Sequence, residues 1–203
     1  MKRIITIIIF CLYLISCSAK LSTIPETDFK NFNRIGVVAF TVINARGVLD
    51  EIATEILINH LNNYFKESKI ILLEKPVDLV NDEFGFESSP KTLINLCKKN
   101  ELDALFYGKI TVSDLIAKIK MKSLLQRSRI STKFRMKGEL YLYSESAGKI
   151  IWSNSAFKNG NASYDHYTKD LNPDFFVSDK DESYRKFVRK LIYSLTEDLR
   201  PSK

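Results

Sequence analysis

Cysteine and histidine are the residue types in this chain that most readily do chemistry, and they are few. The 203 residues include three cysteines and two histidines, His60 and His166. Neither histidine has a second ligand at metal-binding spacing, so no zinc site is expected. The glycines form no phosphate-binding loop, and no serine stands in a G-x-S-x-G motif. The sequence therefore predicts a protein without catalytic residues, metal or cofactor, rather than an enzyme.

Cys17 is the cysteine with an assignable chemistry, because of the segment before it. Lys2 and Arg3 make the N-terminus positive, and residues 4–15 are almost wholly apolar. A short basic region followed by a short apolar run is typical of a secretory signal peptide. The run is shorter than the about 20 apolar residues that a transmembrane helix needs. We therefore expect residues 1–16 to be an export signal.

The end of the apolar run resembles the bacterial lipobox, with Leu14, Ile15, Ser16 and Cys17 in sequence. In that family the cysteine sulfur receives a diacylglyceryl group, and cleavage before the cysteine exposes a new amino terminus. The resemblance implies that Cys17 is lipidated and that residues 17–33 are a tether, held at a membrane by two or more acyl chains. Ser18 stands where an aspartate would favour the inner membrane, which implies the outer membrane. The alternative is an ordinary signal peptide with an incidental cysteine.

The remaining cysteine and the charge of the chain narrow the possible partners. Cys97 has no disulfide partner once Cys11 is removed with the signal, and we expect it to be buried on a helix.

Without the two basic residues of the signal, 29 Lys and Arg stand against 24 Asp and Glu, which leaves a net charge of +5. This charge suits anionic lipid headgroups or cell-wall polymers. Nucleic acid is not expected as the partner of an exported chain.

Apolar patterns predict one α/β domain over residues 34–199. Helices are expected where apolar residues recur with a period of about 3.6, and strands where they alternate or form short runs. Polar stretches with glycine or proline predict loops at residues 41–48 and 157–180. The predicted order is β-α-β-α-β-β-β-α, a mixed parallel and antiparallel sheet packed with helices. The expected strands are 34–40, 69–74, 103–112, 130–143 and 149–155, and the expected helices are 49–67, 90–100 and 183–199.

The segment from Leu115 to Lys137 has eight Lys or Arg residues and no acid. Its first half partly fits a helix and partly a strand, whereas after Arg129 the strand alternation is clear. As a strand it places basic residues on one face. We expect that face to contact lipid headgroups, lipopolysaccharide-like polymers or an acidic partner, the alternative being an ordinary solvated sheet face. The candidate residues are Lys118, Lys120, Lys122, Lys133, Arg135 and Lys137.

The order of elements, together with several short sequences, resembles a superfamily of bacterial lipoproteins. It includes the curli secretion channel CsgG, the penicillin-binding-protein activator LpoB and the N-terminal domain of TolB. The basic segment and the 157–180 loop depart from the family pattern. The matching stretches are the strand at 35–40, the helix from Asp50, the strand end at 71–75, the strand at 102–110 with Gly108, and the hairpin at 140–152.

This resemblance implies a non-enzymatic, lipid-anchored envelope protein. It would act as a binding, scaffolding or regulatory module for cell-wall synthesis, secretion or transport machinery. Its partner would be an envelope protein or a cell-wall component. The alternative is an oligomeric outer-membrane channel subunit, because hairpins of the curli channel insert into the membrane and assemble into a pore.

Overall fold

A mixed six-stranded sheet, a separate two-stranded sheet and three helices make up the part of the chain that the structure describes. The computed structural model describes residues 32–74, 90–120, 128–166, 176–177 and 182–200. The strands are β1 (Arg34–Val38), β2 (Thr41–Ile43), β3 (Arg46–Gly47), β4 (Lys69–Leu73), β5 (Ala104–Lys120), β6 (Ser128–Ser144), β7 (Lys149–His166) and β8 (Phe176–Val177). The helices are α1 (Leu49–Tyr64), α2 (Pro90–Asn100) and α3 (Glu182–Leu195), and a 3-10 turn follows at Glu197–Leu199.

The first half of the main sheet is parallel. β1 pairs with β4 on one side and with β5 on the other, and β2 continues the line of β1 along β5. Parallel strands need crossover connections, and α1 and α2 stand at those places in the chain. Between β1 and β2, the backbone N–H of Phe40 donates to Oγ1 of Thr54 in α1 at 3.1 Å. Gly108 leaves room for the Phe40 ring, since a Cβ there would lie 2.6 Å from its Cε1.

The second half of the sheet is a long antiparallel arm formed by β5, β6 and β7. The strand order is β4-β1-β5-β6-β7, so β7 lies at one edge of the described sheet. β5 and β6 have 17 residues each and β7 has 18, which makes the arm about 55 Å long at 3.3 Å per residue. A turn at residues 145–148 joins β6 to β7. Gly148 takes up the left-handed conformation in that turn, with φ of 62°.

The two faces of the sheet are covered unequally. α1 and α3 pack on one face, because their apolar residues recur at helical spacing and bury against the strands. Gly138 of β6 lets α3 approach, since a Cβ there would lie 2.7 Å from Cδ1 of Leu195. On the other face, α2 buries Leu93 and Cys97 in a smaller cluster with Tyr143 and its neighbours. That cluster lies near the turn, so most of this face of the arm has no described helix on it.

The predicted class, the mixed sheet and the order of the main elements are confirmed, with β2, β3 and β8 as additional short strands. The loop expected at 41–48 is wrong for residues 41–43 and 46–47, because β2 pairs with β5 and β3 with β8. The loop expected from residue 157 is wrong as far as His166, because β7 stays paired with β6 to that point. β5 also continues beyond the expected end of its strand, to Lys120.

Several sequence predictions lie outside the described residues. They include the export signal at 1–16 and most of the tether at 17–33. Of the 157–180 segment beyond β7, the structure describes only β8. Within the described part of the chain, none of the helices has the length and apolar character needed to cross a bilayer.

Candidate anion-binding face

One face of the antiparallel arm is rich in basic residues, and we call it the basic face. It is the side away from α1 and α3, beyond the part that α2 covers, and its described side chains are exposed or half-buried. By register, it consists of Lys109, Thr111, Ser113, Ile116, Lys118 and Lys120 of β5, Glu139, Lys137, Arg135, Lys133, Ser131 and Arg129 of β6, and Ser155, Phe157, Asn159, Asn161, Ser163 and Asp165 of β7. Seven of these residues are basic and two are acidic. Among the described side chains of this face, Lys109, Lys133, Arg135 and Lys137 are basic and Glu139 is acidic; the strand register alone adds Lys118, Lys120, Arg129 and Asp165.

A β-bulge in β5 joins the two halves of this face. Ser113 lies opposite Arg135, whereas the next pair on this face is Ile116 with Lys133. Three steps along β5 therefore match two along β6, and the alternation of β5 changes phase. Odd-numbered positions of β5 belong to the basic face before the bulge and even-numbered positions after it. The predicted residues that this register places on one face are Lys118, Lys120, Lys133, Arg135 and Lys137.

A row of cations runs along β6 in the centre of the basic face. Lys133 and Arg135 are exposed, and Lys137 is half-buried. Alternate positions of a strand are about 6.6 Å apart, so the charges follow one another at that interval. The Nε–H of Arg135 donates to Oδ1 of Asn159 at 3.2 Å, which directs the guanidinium toward β7. Such a row suits an extended anion better than a single small one.

Glu139 ends this row with a local ion-pair cluster. Its Oε1 lies 2.8 Å from Nζ of Lys137, and its Oε2 lies 3.0 Å from Nζ of Lys109. Burial alone would raise the pKa of Glu139, but hydrogen bonds and charge from Lys137 and Lys109 outweigh it and hold the pKa below its ordinary value. The carboxylate is therefore ionised at neutral pH. It neutralises part of the positive charge at this end of the basic face.

The β7 side of the basic face is made of small polar residues around one aromatic ring. Ser155, Asn159 and Asn161 are exposed, and Phe157 between them is 58% exposed. An open cavity of about 420 Å³ lies near this end of the arm, lined by Lys133, Phe134, Arg135, Asn159, Gly160, Asn161 and Phe187. Phe134 and Phe187 pack against each other on the helix-covered side of the sheet, so this cavity is not a pocket of the basic face.

The structure brings together most of the residues predicted from the sequence. Lys122 lies outside the described residues, as do Cys17 and the rest of the predicted lipobox, Leu14, Ile15 and Ser16. For Lys118 and Lys120, the structure gives the strand register alone. Lys109, Glu139, Phe157 and the two asparagines of β7 were not among the predicted site residues. No alternation marks β7 between Ser153 and Ser163, because Asn154 and Lys158 on the helix-facing side are polar as well.

The other chemically capable groups of the described residues lie away from this face. Cys97 is fully buried on α2, as expected, and burial followed by the charge of Glu145 raises the pKa of its thiol to about 11. The Nδ1 of His60 lies 3.3 Å from Oγ1 of Thr196, and burial together with the charges of Arg200 and Arg189 lowers its pKa. No cluster of three or more metal-ligating side chains occurs in the part of the chain described.

No protein-family model and no curated protein matches the chain. A dodecameric PelC structure from Paraburkholderia phytofirmans matches with a TM-score of 0.49 and 12% identity, over 84% of this chain and 89% of that one. A putative neuraminyllactose-binding hemagglutinin homolog from Helicobacter pylori matches with a TM-score of 0.39 and 11% identity, over 83% of this chain and 81% of that one. The LpoB C-terminal domain from Escherichia coli matches with a TM-score of 0.35 and 16% identity, over 63% of this chain and 83% of that one. With TM-scores below 0.5, these likenesses assign neither family nor function, and the superfamily resemblance stays a prediction.

Proposed function

We propose that this protein is a non-enzymatic, lipid-anchored component of the bacterial envelope that binds an envelope partner through the basic face. The observation that supports binding is the excess of basic over acidic residues on one side of a long sheet, four to one among its described side chains, with further basic positions placed there by the strand register. A solvated sheet face needs no such asymmetry, since alternating charge signs keep a surface soluble equally well. The role we infer is a scaffolding or regulatory module for cell-wall synthesis, secretion or transport machinery.

The anchor is proposed to act together with the basic face. Two acyl chains hold a protein firmly at a membrane, because each buried methylene contributes about 0.8 kcal/mol. A tether over residues 17–33 could extend to about 55 Å, at 3.3 Å per residue. The domain would then sample a thin layer next to the membrane, where the effective concentration of an envelope partner is high. We infer the outer membrane from Ser18.

Lipidation is tested by metabolic labelling of cells with radioactive palmitate. Cys17→Ala should abolish labelling of the protein, whereas Cys11→Ala, the matched change inside the export signal, should leave it. Labelling that persists in Cys17→Ala would show that the anchor is assigned to the wrong residue.

Binding through the basic face is tested by photo-crosslinking in cells. A crosslinking amino acid at Asn161, which is exposed on that face, should give products with envelope components. The same amino acid at the exposed Glu51 of α1, on the opposite side, is the matched control. Combining the Asn161 probe with Lys133→Glu and Arg135→Glu should remove the products. Identical products from both probe positions, or products insensitive to charge reversal, would contradict the proposal.

A second candidate function is an oligomeric channel subunit. The position of β7 at an edge of the described sheet supports this alternative. This 18-residue strand lies at an edge of the described sheet, and edge strands can pair with another chain. Light scattering of the protein in detergent, with and without the lipid anchor, gives its mass. A monomer under both conditions would exclude the channel.

A further inference from the structure

Two different rows of side chains run next to each other on the basic face. The β6 row is cationic, with Lys133, Arg135 and Lys137 at alternate positions. The β7 row, about 4.8 Å away, is uncharged and hydrogen-bonding over its described side chains, apart from one aromatic ring. It consists of Ser155, Phe157, Asn159 and Asn161. A ligand lying along the arm would meet charge on one side and amide or hydroxyl groups on the other.

The composition of the β7 row is unusual for a strand. Serine and asparagine pack poorly on a pleated surface, where threonine, valine and aromatic residues are favoured, and asparagine is depleted in strands. Edge strands are commonly protected with lysine, which also keeps them soluble. Apart from Phe157, the described positions of β7 on the basic face use neither solution, and Lys158 lies on the opposite face. Asn159 holds Arg135 through its Oδ1, at 3.2 Å, so this row also orients the neighbouring cations.

Phe157 adds an apolar surface within this polar row. Its ring is 58% exposed, and it lies opposite Lys137 in the register. Among the described side chains of the basic face it is the one large apolar group. The face of an aromatic ring is electron-rich and attracts positively polarised C–H groups. The ring of a pyranose presents a surface of such C–H groups, together with hydroxyls at its edge.

We propose that the basic face binds an acidic polysaccharide, with its sugar rings along β7 and its carboxylates toward the cations of β6. This inference rests on the proposed function and names the chemical class of the partner. Carboxylates suit Arg135, since guanidinium and carboxylate geometries match. Sugar hydroxyls suit the amide and hydroxyl groups of Asn159, Asn161 and Ser155. A lipid headgroup layer would need the cations but would leave the β7 row without a purpose.

The experiment compares anions that share charge but differ in sugar content. The full chain in neutral detergent is titrated with fluorescent polygalacturonate, with polyglutamate of equal charge number and with neutral dextran, and binding is followed by anisotropy. Displacement of polygalacturonate is then measured with phosphatidylcholine vesicles that contain or lack phosphatidylglycerol. The variants are Phe157→Ser and the pair Lys133→Gln with Arg135→Gln. The matched control is Lys98→Gln with Lys99→Gln, two exposed positions on α2.

We expect polygalacturonate to bind about tenfold more tightly than polyglutamate, a difference of 1.4 kcal/mol, and dextran not to bind. Neutralising Lys133 and Arg135 should weaken both polyanions at least about tenfold. Phe157→Ser should weaken polygalacturonate about fivefold and leave polyglutamate unchanged. The Lys98 and Lys99 control should match the unmodified chain, and thermal unfolding confirms that each variant is folded.

Two results would overturn the inference while leaving the proposed function standing. One is equal affinity for both polyanions with no effect of Phe157→Ser. The other is stronger displacement by phosphatidylglycerol vesicles than by free polygalacturonate at equal charge, which would assign the face to the membrane surface. If no anion binds in a manner that depends on Lys133 and Arg135, both the inference and the proposed anion-binding face are wrong.

Discussion

Replacing Glu139 with glutamine should have opposite effects on stability and on anion binding. The carboxylate accepts hydrogen bonds from Lys137 at 2.8 Å and from Lys109 at 3.0 Å. Glutamine keeps the size of the side chain and removes its negative charge. The two lysines then lose a paired anion, while the basic face gains one positive charge.

The loss of stability can be bounded from the exposure of the three groups. The Glu139 side chain is 16% exposed, and those of Lys109 and Lys137 are 21% and 40% exposed. Fully exposed ion pairs contribute about 0.2–1 kcal/mol, and hydrogen bonds to charged groups about 1.5–3 kcal/mol where they are shielded from water. Partial exposure places the cluster between these ranges. We therefore expect a loss of about 1–2 kcal/mol in the free energy of unfolding at pH 7.

The stability difference between the unmodified protein and Glu139→Gln should depend on pH. The pKa of Glu139 is lowered in the folded protein, so its contribution to stability is present above the pKa of the unfolded chain. That contribution is lost as the pH falls through the lower, folded-state pKa. Glutamine does not titrate, so the difference between the two proteins should be constant above about pH 4.5 and shrink below it.

Anion affinity should rise through simple electrostatics. A ligand anion at the adjacent position on β6 lies about 7 Å from the removed carboxylate, and repulsion at that distance in water is about 0.6 kcal/mol. Its removal corresponds to about threefold tighter binding at low salt. The gain should vanish at about 1 M salt, where the screening length falls to about 3 Å.

Urea denaturation and anisotropy with polygalacturonate or polyglutamate measure the two effects separately. The matched control is Glu101→Gln, because Glu101 is paired with Arg34 at 3.5 Å and its side chain is 81% exposed, away from the arm. It should change stability by less than about 0.5 kcal/mol and leave anion affinity unaltered. A fall in the anion affinity of Glu139→Gln, or a stability loss that persists unchanged to pH 3, would contradict the proposed role of the Glu139 carboxylate.

Three further predictions concern the scaffold behind the basic face. Thr54→Val removes the acceptor of the Phe40 N–H with little change of shape, so urea denaturation should show a loss of about 1–3 kcal/mol in the free energy of unfolding. Thr54→Ser keeps the hydroxyl and should lose less. A larger loss for Thr54→Ser than for Thr54→Val would contradict this role. Gly160→Ala would place a Cβ 2.6 Å from Cε2 of the Phe134 ring, so we expect a loss of about 1–3 kcal/mol in the free energy of unfolding. An unchanged midpoint of urea denaturation would show that the ring can move away. Cys97 should resist thiol reagents at pH 8 in the folded protein, since a pKa of about 11 leaves about 0.1% of the thiol as thiolate. It should react once urea unfolds the chain. Fast labelling of the folded protein would contradict the burial of Cys97.

Apolar periodicity was sufficient to predict the elements that have an apolar side. α3 has its buried residues at helical spacing, and it packs on the sheet as expected. α2 begins at Pro90, as predicted from the preference of proline for the first turn. These elements are predictable because their stability comes from one buried stripe, which is visible in the sequence.

The outer part of β7 could not be predicted in the same way. Beyond Trp152 its helix-facing positions include Asn154, Ala156 and Gly160, which do not form an apolar alternation. Phe134 of β6 packs over Gly160 and supplies the bulk that β7 lacks. The strand is thus stabilised by its partner, and a pattern within β7 alone cannot reveal that. The same reason kept part of the candidate site from being predicted, because five of the 16 polar residues of the basic face belong to β7.

The bulge in β5 explains both the ambiguous sequence pattern and the single basic face. Before the bulge, the helix-facing apolar residues of β5 are even-numbered, as in Ile110 and Val112. After it, the register pairs odd-numbered Ala117 and Ile119 with positions on the helix-facing side of β6. A pattern that changes phase fits neither a regular strand nor a regular helix, which is why both periods compete there. Without the phase change, Lys118 and Lys120 would fall on the helix-facing side, away from the β6 cations. The residue inserted in β5 is therefore what places the basic positions of β5 on the same side of the sheet as those of β6.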